Sequence, residues 1–487
     1  MSEDFGTRFR MSSVEQRARL VLEAEHRAEL VAYLGQPAFD EMLTLASAAV
    51  TTLDSRHLAH GVLPDLLFVP GVMGSLLSSR TLGGLWWIDI GRNLGRLNDL
   101  RLDQAGAQDF DPSHEVIPIQ IDMHYTPILT AALKHPTIGY DVFFYDWRKS
   151  LQISGKRFLE KVRSLFQANT HQPVNVIAHS MGGLVVRTAL MNHGGELWPM
   201  LGRLVFIGAP HYGSPVVAGY LKNHLGGSLQ LWALGKFINP TVFRSLWGPL
   251  SMLPAPAGVY PGTRGERNTS PHPCADFDLY GASQWGLNLA ASEEADLQQI
   301  LDHARDIHQG LRQAHSKLTR AQRNRIAVIV GVGQKCLFSI SNKSGLAGGW
   351  DSLFPDTGRN AQDPNREGDG RVTVASASLE DVGDIRYVKG VHDALPNMPA
   401  VYADAFRWIS YEDMQLPKTI NGAFGQHLAD ADQVSEAPHL DGSIQADINA
   451  EDPGYLDFSP VDEDELEAYE KELWAGAHPE FKFTRIM

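Results

Sequence analysis

The stretch "VNVIAHSMGGLVVR", residues 174–187, decides the fold class of this chain. A mostly apolar run leads into Ser180, and two glycines follow shortly before a second apolar run begins. The first run predicts a strand buried on both faces of a parallel sheet, and the second predicts a buried helix. Ser180 therefore lies at a predicted strand-to-helix turn, where a serine serves either as the helix N-cap or as a nucleophile.

Further apolar runs lie before and after this stretch, with helical patterns between some of them. Residues 156–167 are one such pattern, with apolar side chains at helical spacing. Strands that alternate with helices predict right-handed βαβ units, and thus an α/β protein whose mostly parallel sheet carries helices on both faces. The predicted strands are "DLLFVPG" (65–71), "DVFFYDW" (141–147), "RLVFIGAP" (203–210), "RIAVIVGVG" (325–333) and "IRYVKG" (385–390).

The alternation stops after residue 210 and resumes near residue 326. An insertion of this length between two strands is expected to form a cap over the carboxyl edge of the sheet, where ligands bind in open α/β sheets. Residues 14–34 predict an amphipathic helix ahead of the first strand. The predicted regions are an N-terminal helical extension (1–60), an α/β core (61–210 and 326–412), a cap or lid insertion (211–325) and an acidic C-terminal extension (413–487).

The negative charge of the chain is concentrated near its C-terminus. The formal net charge is -15, and residues 427–487 alone contain sixteen Asp and Glu against three Lys and Arg, a net of -13. This balance argues against nucleic-acid binding. The acidic extension is expected to be loosely ordered, and it leaves open a protein partner that binds it.

The sequence contains neither an apolar leader at the N-terminus nor a run approaching about 18 apolar residues. Its two cysteines, Cys274 and Cys336, are too few for a disulfide scaffold and suit a reducing cytosol. We therefore expect a soluble cytoplasmic protein, with transient contact to a membrane surface and export without a leader both left open. The chain contains no P-loop, no HExxH and no paired CxxC, so no cofactor and no metal are predicted.

The residues around Ser180 match the small-x-Ser-x-Gly pattern of a nucleophile elbow, here Ala178-His179-Ser180-Met181-Gly182. The pattern needs small residues because a tight turn brings strand and helix together while it exposes the serine oxygen. We therefore predict that Ser180 is a nucleophile. His179 is adjacent to it in the chain, but neighbouring side chains diverge at a sharp turn, so His179 is a poor candidate for the base.

A serine nucleophile needs a histidine base and an acid that orients it, and in this fold class both follow the serine in the chain. His392 follows the last predicted strand and is the candidate base. Asp369 lies between two glycines and is the preferred acid, where it would orient His392 without taking its proton. The acids that compete with it are Glu367, Asp363, Asp381 and Asp384.

The oxyanion formed by attack on an ester needs two N–H donors. One is predicted at Met181, directly after the nucleophile, and the other at Val72, after the Pro-Gly turn that ends the first strand, with Met73 as the next choice. The element Asp146-Trp147-Arg148 is interpreted as a structural ion pair and packing element near the site, in preference to a catalytic role.

Seven motifs together resemble the lecithin:cholesterol acyltransferase-like family, in the order in which that family has them, over residues 62–412. This family includes lysosomal phospholipase A2, and the chain looks like one of its prokaryotic members. The resemblance implies an α/β-hydrolase fold, the triad Ser180–Asp369–His392 and an oxyanion hole at Val72 and Met181. The motifs are "LFVPGVMGS", "FFYDWRKS", "VIAHSMGGLVVR", "FIGAPHYGSP", "VIVGVG", "EGDGRVT" and "GVHDALPN".

The predicted function is that of a serine lipase, phospholipase or O-acyltransferase, which acts on acyl esters of lipids through an acyl-Ser180 intermediate. The secreted animal relatives carry a disulfide-stapled lid, whereas residues 75–110 contain no cysteine, so their lipoprotein binding is not transferred. Two alternatives stay open. One is a phospholipase toxin that attacks membranes, and the other is a hydrolase fold without catalysis that binds a ligand or a protein partner.

Overall fold

The computed structural model describes most of the chain between residues 64 and 430 and part of the region before it. The predicted acidic extension beyond residue 430 lies outside the described residues, so the prediction that it is loosely ordered is left as it was made. The described residues are 9, 19–34, 36, 39, 43, 64–79, 81–82, 85–87, 97–218, 221, 239–261, 274–342, 353–358 and 363–430.

The strands among the described residues fall into one large sheet and two small ones. In chain order they are β1 (Pro64–Val69), β2 (Ser75–Ser79), β3 (Leu85–Trp87), β4 (Val116–Ile121), β5 (Gly139–Val142), β6 (Val174–His179), β7 (Leu201–Ile207), β8 (Ile326–Val332), β9 (Gln334–Asn342), β10 (Leu353–Gly358), β11 (Glu367–Gly368) and β12 (Asp384–Lys389).

The α-helices among the described residues lie before the first strand, beside the large sheet and in the segment between β7 and β8. In chain order they are α1 (Arg27–Leu34), α2 (Thr126–Lys134), α3 (Leu151–Ala168), α4 (Met181–Met200), α5 (Pro240–Arg244), α6 (Trp247–Leu250), α7 (Ala291–Ser316), α8 (Arg320–Arg323), α9 (Val374–Ala377), α10 (Pro399–Ile409) and α11 (Ile420–Asp430).

The large sheet has six strands in the order β12-β8-β7-β6-β1-β5, and every neighbouring pair is parallel. Alternate residues of its strands pack on opposite faces, as the two-residue period of a strand requires. Val176 and Ala178 of β6 belong to the core beneath α3, α4 and α7, whereas Ile177 packs with α2 and α10 on the other face. The predicted α/β-hydrolase fold, with a parallel sheet covered on both faces, is confirmed.

Two small antiparallel sheets were not predicted. One has the order β3-β2-β4 and follows the first core strand, and the other has the order β10-β9-β11 and precedes the turn that carries Asp369. The N-terminal segment packs against the first of them, because Val21 and Leu30 share a small apolar cluster with Leu76 of β2 and Ile119 of β4.

The segment between β7 and β8 contains α7, a helix of 26 residues. Leu297, Leu301 and Leu311 are among its buried side chains. The helix packs against α4, which is the helix that begins directly after Ser180. It therefore contributes a helix to the crossover connection between the parallel strands β7 and β8. The boundaries proposed for the cap and the extensions stay predictions.

None of the helices in the described part of the chain is both long and apolar enough to cross a membrane.

Candidate active site

Ser180 lies on the turn between β6 and α4 with a strained backbone. Its φ of 51° and ψ of -128° are unusual for a residue with a side chain. The Ser180 N–H donates to the Ile207 carbonyl of β7 at 3.0 Å, and Gly183 N–H donates to the Ser180 carbonyl at 2.9 Å. These bonds hold the strained conformation in place, so the serine hydroxyl is directed above the edge of the sheet.

Two glycines at the start of α4 allow the helix to approach the strands closely. A Cβ atom at Gly182 would lie 2.5 Å from the Pro70 carbonyl oxygen and 2.7 Å from that of Val69. A Cβ atom at Gly183 would lie 2.6 Å from Cβ of Ala209. Small residues after the serine are thus a steric requirement of this turn, for the reason that the sequence pattern predicts.

Ser180, His392 and Asp369 form a buried chain of hydrogen bonds. His392 Nε2 lies 2.9 Å from Ser180 Oγ, and His392 Nδ1 lies 2.8 Å from Asp369 Oδ2. The structure thus brings together all three residues that the sequence predicts for a triad. A histidine between a hydroxyl and a carboxylate can accept the hydroxyl proton while the carboxylate stabilises the resulting imidazolium.

Asp369 is held in a tight turn by backbone donors. Its Oδ1 accepts from Arg371 N–H at 3.0 Å and from Val372 N–H at 2.7 Å, and this leaves Oδ2 for His392. The His392 N–H also donates to the Asp369 carbonyl at 2.9 Å, so the two loops are joined by backbone as well as by side chain. The imidazole and the carboxylate are therefore fixed in relation to each other before any substrate binds.

The four competing acids have other contacts in the structure. Glu367 accepts from Gly333 N–H, and Asp363 Oδ1 accepts from Asn365 N–H at 3.0 Å. The other two pair with arginines outside the site: Asp381 with Arg323 at 3.2 Å and Asp384 with Arg386 at 2.7 Å.

The pKa of His392 is raised above its ordinary value, although two effects oppose each other. Burial disfavours the imidazolium and lowers the pKa, but the charge and hydrogen bond of Asp369 favour the imidazolium more strongly and raise it. A histidine of this kind takes up a proton more readily than an isolated one. This property suits a general base that must deprotonate a serine hydroxyl.

The two amides predicted for the oxyanion hole have no hydrogen-bond acceptor among the described residues. The neighbouring amides of the Pro-Gly loop are used, because Gly71 N–H donates to the Tyr125 hydroxyl and Gly74 N–H donates to the Gly71 carbonyl. The N–H groups of Val72 and Met181 are thus left available to an oxyanion beside Ser180 Oγ. Their role remains a prediction.

The segment after β5 supports the Pro-Gly loop and the start of β2 through side-chain hydrogen bonds. The Tyr145 hydroxyl donates to the Pro70 carbonyl at 3.1 Å, and Trp147 Nε1 donates to the Ser75 carbonyl at 3.1 Å. The predicted strand over residues 141–147 is shorter in the structure, where β5 ends at Val142. Phe143 N–H still donates to the Phe68 carbonyl of β1 at 2.8 Å, and beyond it Tyr145 and Trp147 form buried side-chain contacts.

Arg148 is completely buried and binds two carboxylates. Its Nε and Nη2 donate to Asp146 at 2.9 and 2.8 Å, and its Nη1 donates to Asp109 at 2.8 Å. This geometry agrees with the interpretation of the element as a structural ion pair. The partner Asp109 could not be identified from the sequence, because it lies 39 residues earlier in the chain.

Two further buried side chains lie next to Ser180 and His392. Nothing in the sequence indicates Tyr125, and the sequence indicates His179 only as a poor candidate for the base. They are hydrogen-bonded to each other at 2.9 Å, between the tyrosine hydroxyl and His179 Nδ1. Tyr125 precedes α2 in a segment without a recognisable motif.

Elsewhere, Glu23, Glu25 and His26 bring three potential metal-ligand atoms within 4.8 Å of one another near the N-terminus.

Comparisons with known proteins confirm the resemblance to the lecithin:cholesterol acyltransferase-like family. The family model of lecithin:cholesterol acyltransferase matches residues 142–253, a segment that includes Ser180 but neither Asp369 nor His392. Lecithin-cholesterol acyltransferase-like 4 of Arabidopsis thaliana is 34% identical over 85 residues, which are 17% of this chain and 15% of that protein.

A second curated relative is the uncharacterized protein YJR098C of Saccharomyces cerevisiae, 26% identical over 155 residues. That match covers 30% of this chain and 23% of the yeast protein, so the chain spans less than a quarter of either curated relative.

Among solved structures, a Tle4–Tli4 complex matches with a TM-score of 0.47 and 12% identity over 77% of this chain and 99% of that chain. The mature lipase BlEst2 of Bacillus licheniformis matches with a TM-score of 0.32 and 16% identity over 68% of this chain and 86% of that chain.

Proposed function

We propose that this lecithin:cholesterol acyltransferase-like protein is a serine enzyme that acts on acyl esters of lipids. The observation that carries the proposal is the buried hydrogen-bond chain from Asp369 through His392 to Ser180, with the serine on a strained turn. The family resemblance supports a lipid ester as the substrate class.

In the proposed reaction, Ser180 Oγ attacks the ester carbonyl carbon while His392 Nε2 takes the hydroxyl proton. The carbonyl oxygen becomes an oxyanion that accepts hydrogen bonds from the N–H groups of Val72 and Met181. When the tetrahedral intermediate collapses, the C–O bond to the alcohol breaks and His392 gives the proton to the leaving oxygen. The product at this stage is an acyl ester of Ser180.

The acyl group then leaves Ser180 by the reverse sequence of steps. His392 deprotonates either water or an acceptor alcohol, which attacks the acyl carbonyl, and the proton returns to Ser180 Oγ. Water gives a free fatty acid, and an alcohol gives a new ester. Which of them reacts depends on whether the region over Ser180 excludes water when substrate is bound.

The proposal is tested with Ser180→Ala and with mixed phospholipids as substrate. We expect kcat to fall by about 10⁴–10⁶-fold, as for the loss of other triad nucleophiles. A fluorophosphonate probe should label the wild type but not the variant. Ser251→Ala is the matched control, because Ser251 is also buried and its hydroxyl donates to the Trp247 carbonyl at 2.7 Å. If Ser180→Ala retained most activity, the assignment would be wrong.

A second assay distinguishes hydrolysis from acyl transfer. The wild-type protein is given mixed phospholipids with and without a long-chain alcohol, and the products are separated as free fatty acid and alcohol ester. A hydrolase releases fatty acid at the same rate in both conditions, whereas an acyltransferase forms the alcohol ester at the expense of fatty acid.

A further inference from the structure

A chain of three buried hydrogen bonds joins the Pro-Gly loop, residues 70–74, to the loop of His392. Gly71 N–H donates to the Tyr125 hydroxyl oxygen at 3.0 Å. The Tyr125 hydroxyl lies 2.9 Å from His179 Nδ1, and His179 Nε2 lies 3.2 Å from the His392 carbonyl oxygen. The side chains of both Tyr125 and His179 are fully buried.

The direction of these hydrogen bonds follows from the groups at the two ends. The Gly71 N–H can only donate, so the Tyr125 oxygen accepts from it and directs its own proton to His179 Nδ1. The His392 carbonyl can only accept, so His179 Nε2 carries a proton and donates to it. A neutral His179 with its proton on Nε2 satisfies every group. Burial lowers the pKa of His179 well below its ordinary value, which keeps the ring neutral.

We infer that Tyr125 and His179 are positioning residues, which together set the distance between the oxyanion-hole amide of Val72 and the His392–Ser180 pair. The inference rests on the proposed function, since it assigns a role in that same reaction. Neither side chain is hydrogen-bonded to Ser180 Oγ or to His392 Nε2, so neither is a catalytic residue. Each acts through the backbone of a segment that touches the reacting atoms.

The packing around Gly71 shows why this connection affects the geometry of the site. A Cβ atom at Gly71 would lie 2.9 Å from Cβ of Ser180 and 3.3 Å from both His179 Nδ1 and the Tyr125 hydroxyl. The loop therefore lies directly against the nucleophile, and Val72 is the next residue. Because oxyanion stabilisation depends on donor positions within a fraction of an ångström, a small shift of this loop lowers the rate of the chemical step.

The experiment compares Tyr125→Phe with Tyr280→Phe as a matched control. Tyr280 is also buried, and its hydroxyl donates to the Pro254 carbonyl at 2.8 Å. This control therefore loses a buried tyrosine hydrogen bond that is not one of the three between the Pro-Gly loop and the His392 loop. We expect Tyr125→Phe to lower kcat by about 10–100-fold with KM changed by less than about threefold. We expect Tyr280→Phe to keep the wild-type kcat, with a Tm at or slightly below that of the wild type.

The dependence of kcat/KM on pH separates positioning from a change at the triad. Tyr125→Phe leaves the His392–Asp369 hydrogen bond intact, so its acidic limb should coincide with that of the wild type while the plateau is lower. A wild-type kcat in Tyr125→Phe, or an equal loss in Tyr280→Phe, would overturn the inference.

His179→Gln provides a second test if Tyr125→Phe does not fold. Its side-chain amide extends toward the position of His179 Nε2 and offers a donor to the His392 carbonyl, but it provides no group at the Nδ1 position. We expect an intermediate loss of kcat, smaller than that of His179→Leu, which removes both bonds. Equal kcat values for the two His179 variants would contradict the inference. Activity of Ser180→Ala would instead refute the proposed function, so the two failures are distinguishable.

Discussion

The turn that carries Ser180 and the loops that carry Asp369 and His392 are constructed differently. Ser180 lies between a strand and a helix that are consecutive in the chain. Its strained backbone conformation is possible because the two glycines that follow let the helix pack closely. Asp369 and His392 lie 23 residues apart and meet through hydrogen bonds between two loops. The first construction depends mainly on shape and the second on charge and hydrogen bonds.

The two parts are therefore sensitive to different kinds of substitution. A close-packed turn tolerates no added atoms, because the nearest neighbours are backbone atoms that cannot move independently. A hydrogen-bonded acid and base tolerate small changes in the side chains packed around them, but they lose function when the charge of the acid is removed.

The largest effect in this comparison is expected for Asp369→Asn. The amide can still accept from Val372 N–H, but its NH₂ group forces His392 to carry its proton on Nε2, which then cannot accept the serine proton. We expect kcat to fall by on the order of 10⁴-fold with little loss of folded protein. Steady-state kinetics and thermal unfolding measure the two quantities.

Asp363→Asn is the control for that variant, because Asp363 is also an acid of this segment but contacts Asn365 and not His392. It should keep the wild-type kcat. A similar loss of kcat in both variants would mean that the segment is sensitive to charge as a whole and that Asp369 has no special role.

A smaller effect is expected for Gly182→Ala, which tests the shape of the serine turn. The added methyl group would lie 2.5 Å from the Pro70 carbonyl oxygen, so strand and helix must separate. We expect a free energy of unfolding lower by about 1–3 kcal/mol, together with a reduced kcat, since Ser180 moves with the helix.

Gly195→Ala is the matched control in the last part of α4, beyond a break in the helix at His193, whose φ of -132° and ψ of 20° are not helical. A Cβ atom at Gly195 meets nothing within 4 Å, so the change should leave the free energy of unfolding unchanged or raise it by up to about 1 kcal/mol. Urea unfolding of both variants measures the contrast. If Gly182→Ala were as stable and as active as Gly195→Ala, close packing would not determine the serine turn.

The smallest expected effect is a shift of the pH profile, which tests the acid–base loops. His392 must be neutral to accept the serine proton, so kcat/KM should fall as the pH decreases through its pKa. Burial lowers this pKa, but the charge and hydrogen bond of Asp369 raise it above its ordinary value. Removing the carboxylate in Asp369→Asn should move this limb to lower pH. His179, whose pKa is lowered, should add no second ionisation above pH 6.5.

The same ionisation changes stability in the opposite direction. A histidine whose pKa is raised on folding stabilises the protein fully below the pKa of the unfolded state, and this contribution is lost as the pH rises through the pKa of the folded state. The wild type should therefore lose this part of its stability over the pH range in which it gains activity. Thermal unfolding across that range, compared with Asp369→Asn, provides the measurement, and an unchanged difference between them would contradict the assigned cause.

Much of the fold could be predicted because the relevant signals are local. The apolar runs of β6, β7 and β8 match the structure closely, since a strand buried on both faces needs apolar residues on both sides. The position of β12 is also predicted well, although it is an edge strand whose residues are only partly buried. The run at residues 141–147 was overestimated, because apolar and aromatic side chains are also needed where the chain turns inward after Val142. The two small sheets went unpredicted, as their pairing depends on which segments the large sheet brings together.

The candidate site was predictable to different degrees. Ser180 has a local signature, because a strained turn requires small neighbours at fixed positions. The acid had five candidates within a short span, and nothing in the sequence measures which carboxylate reaches His392. Tyr125 had no signature at all, since its partners Gly71 and His179 each lie 54 residues away.

By itself, the sequence determined the fold class and predicted the Ser180 turn and the order of the candidate site residues, because strand burial and steric crowding leave marks at each position along the chain. The tertiary structure decided which acid meets His392, which carboxylates bind Arg148, and how Tyr125 connects the Pro-Gly loop to the triad. These are contacts between segments that are distant in the chain. Their geometry exists only after the parallel sheet has brought the carboxyl ends of its strands to one edge.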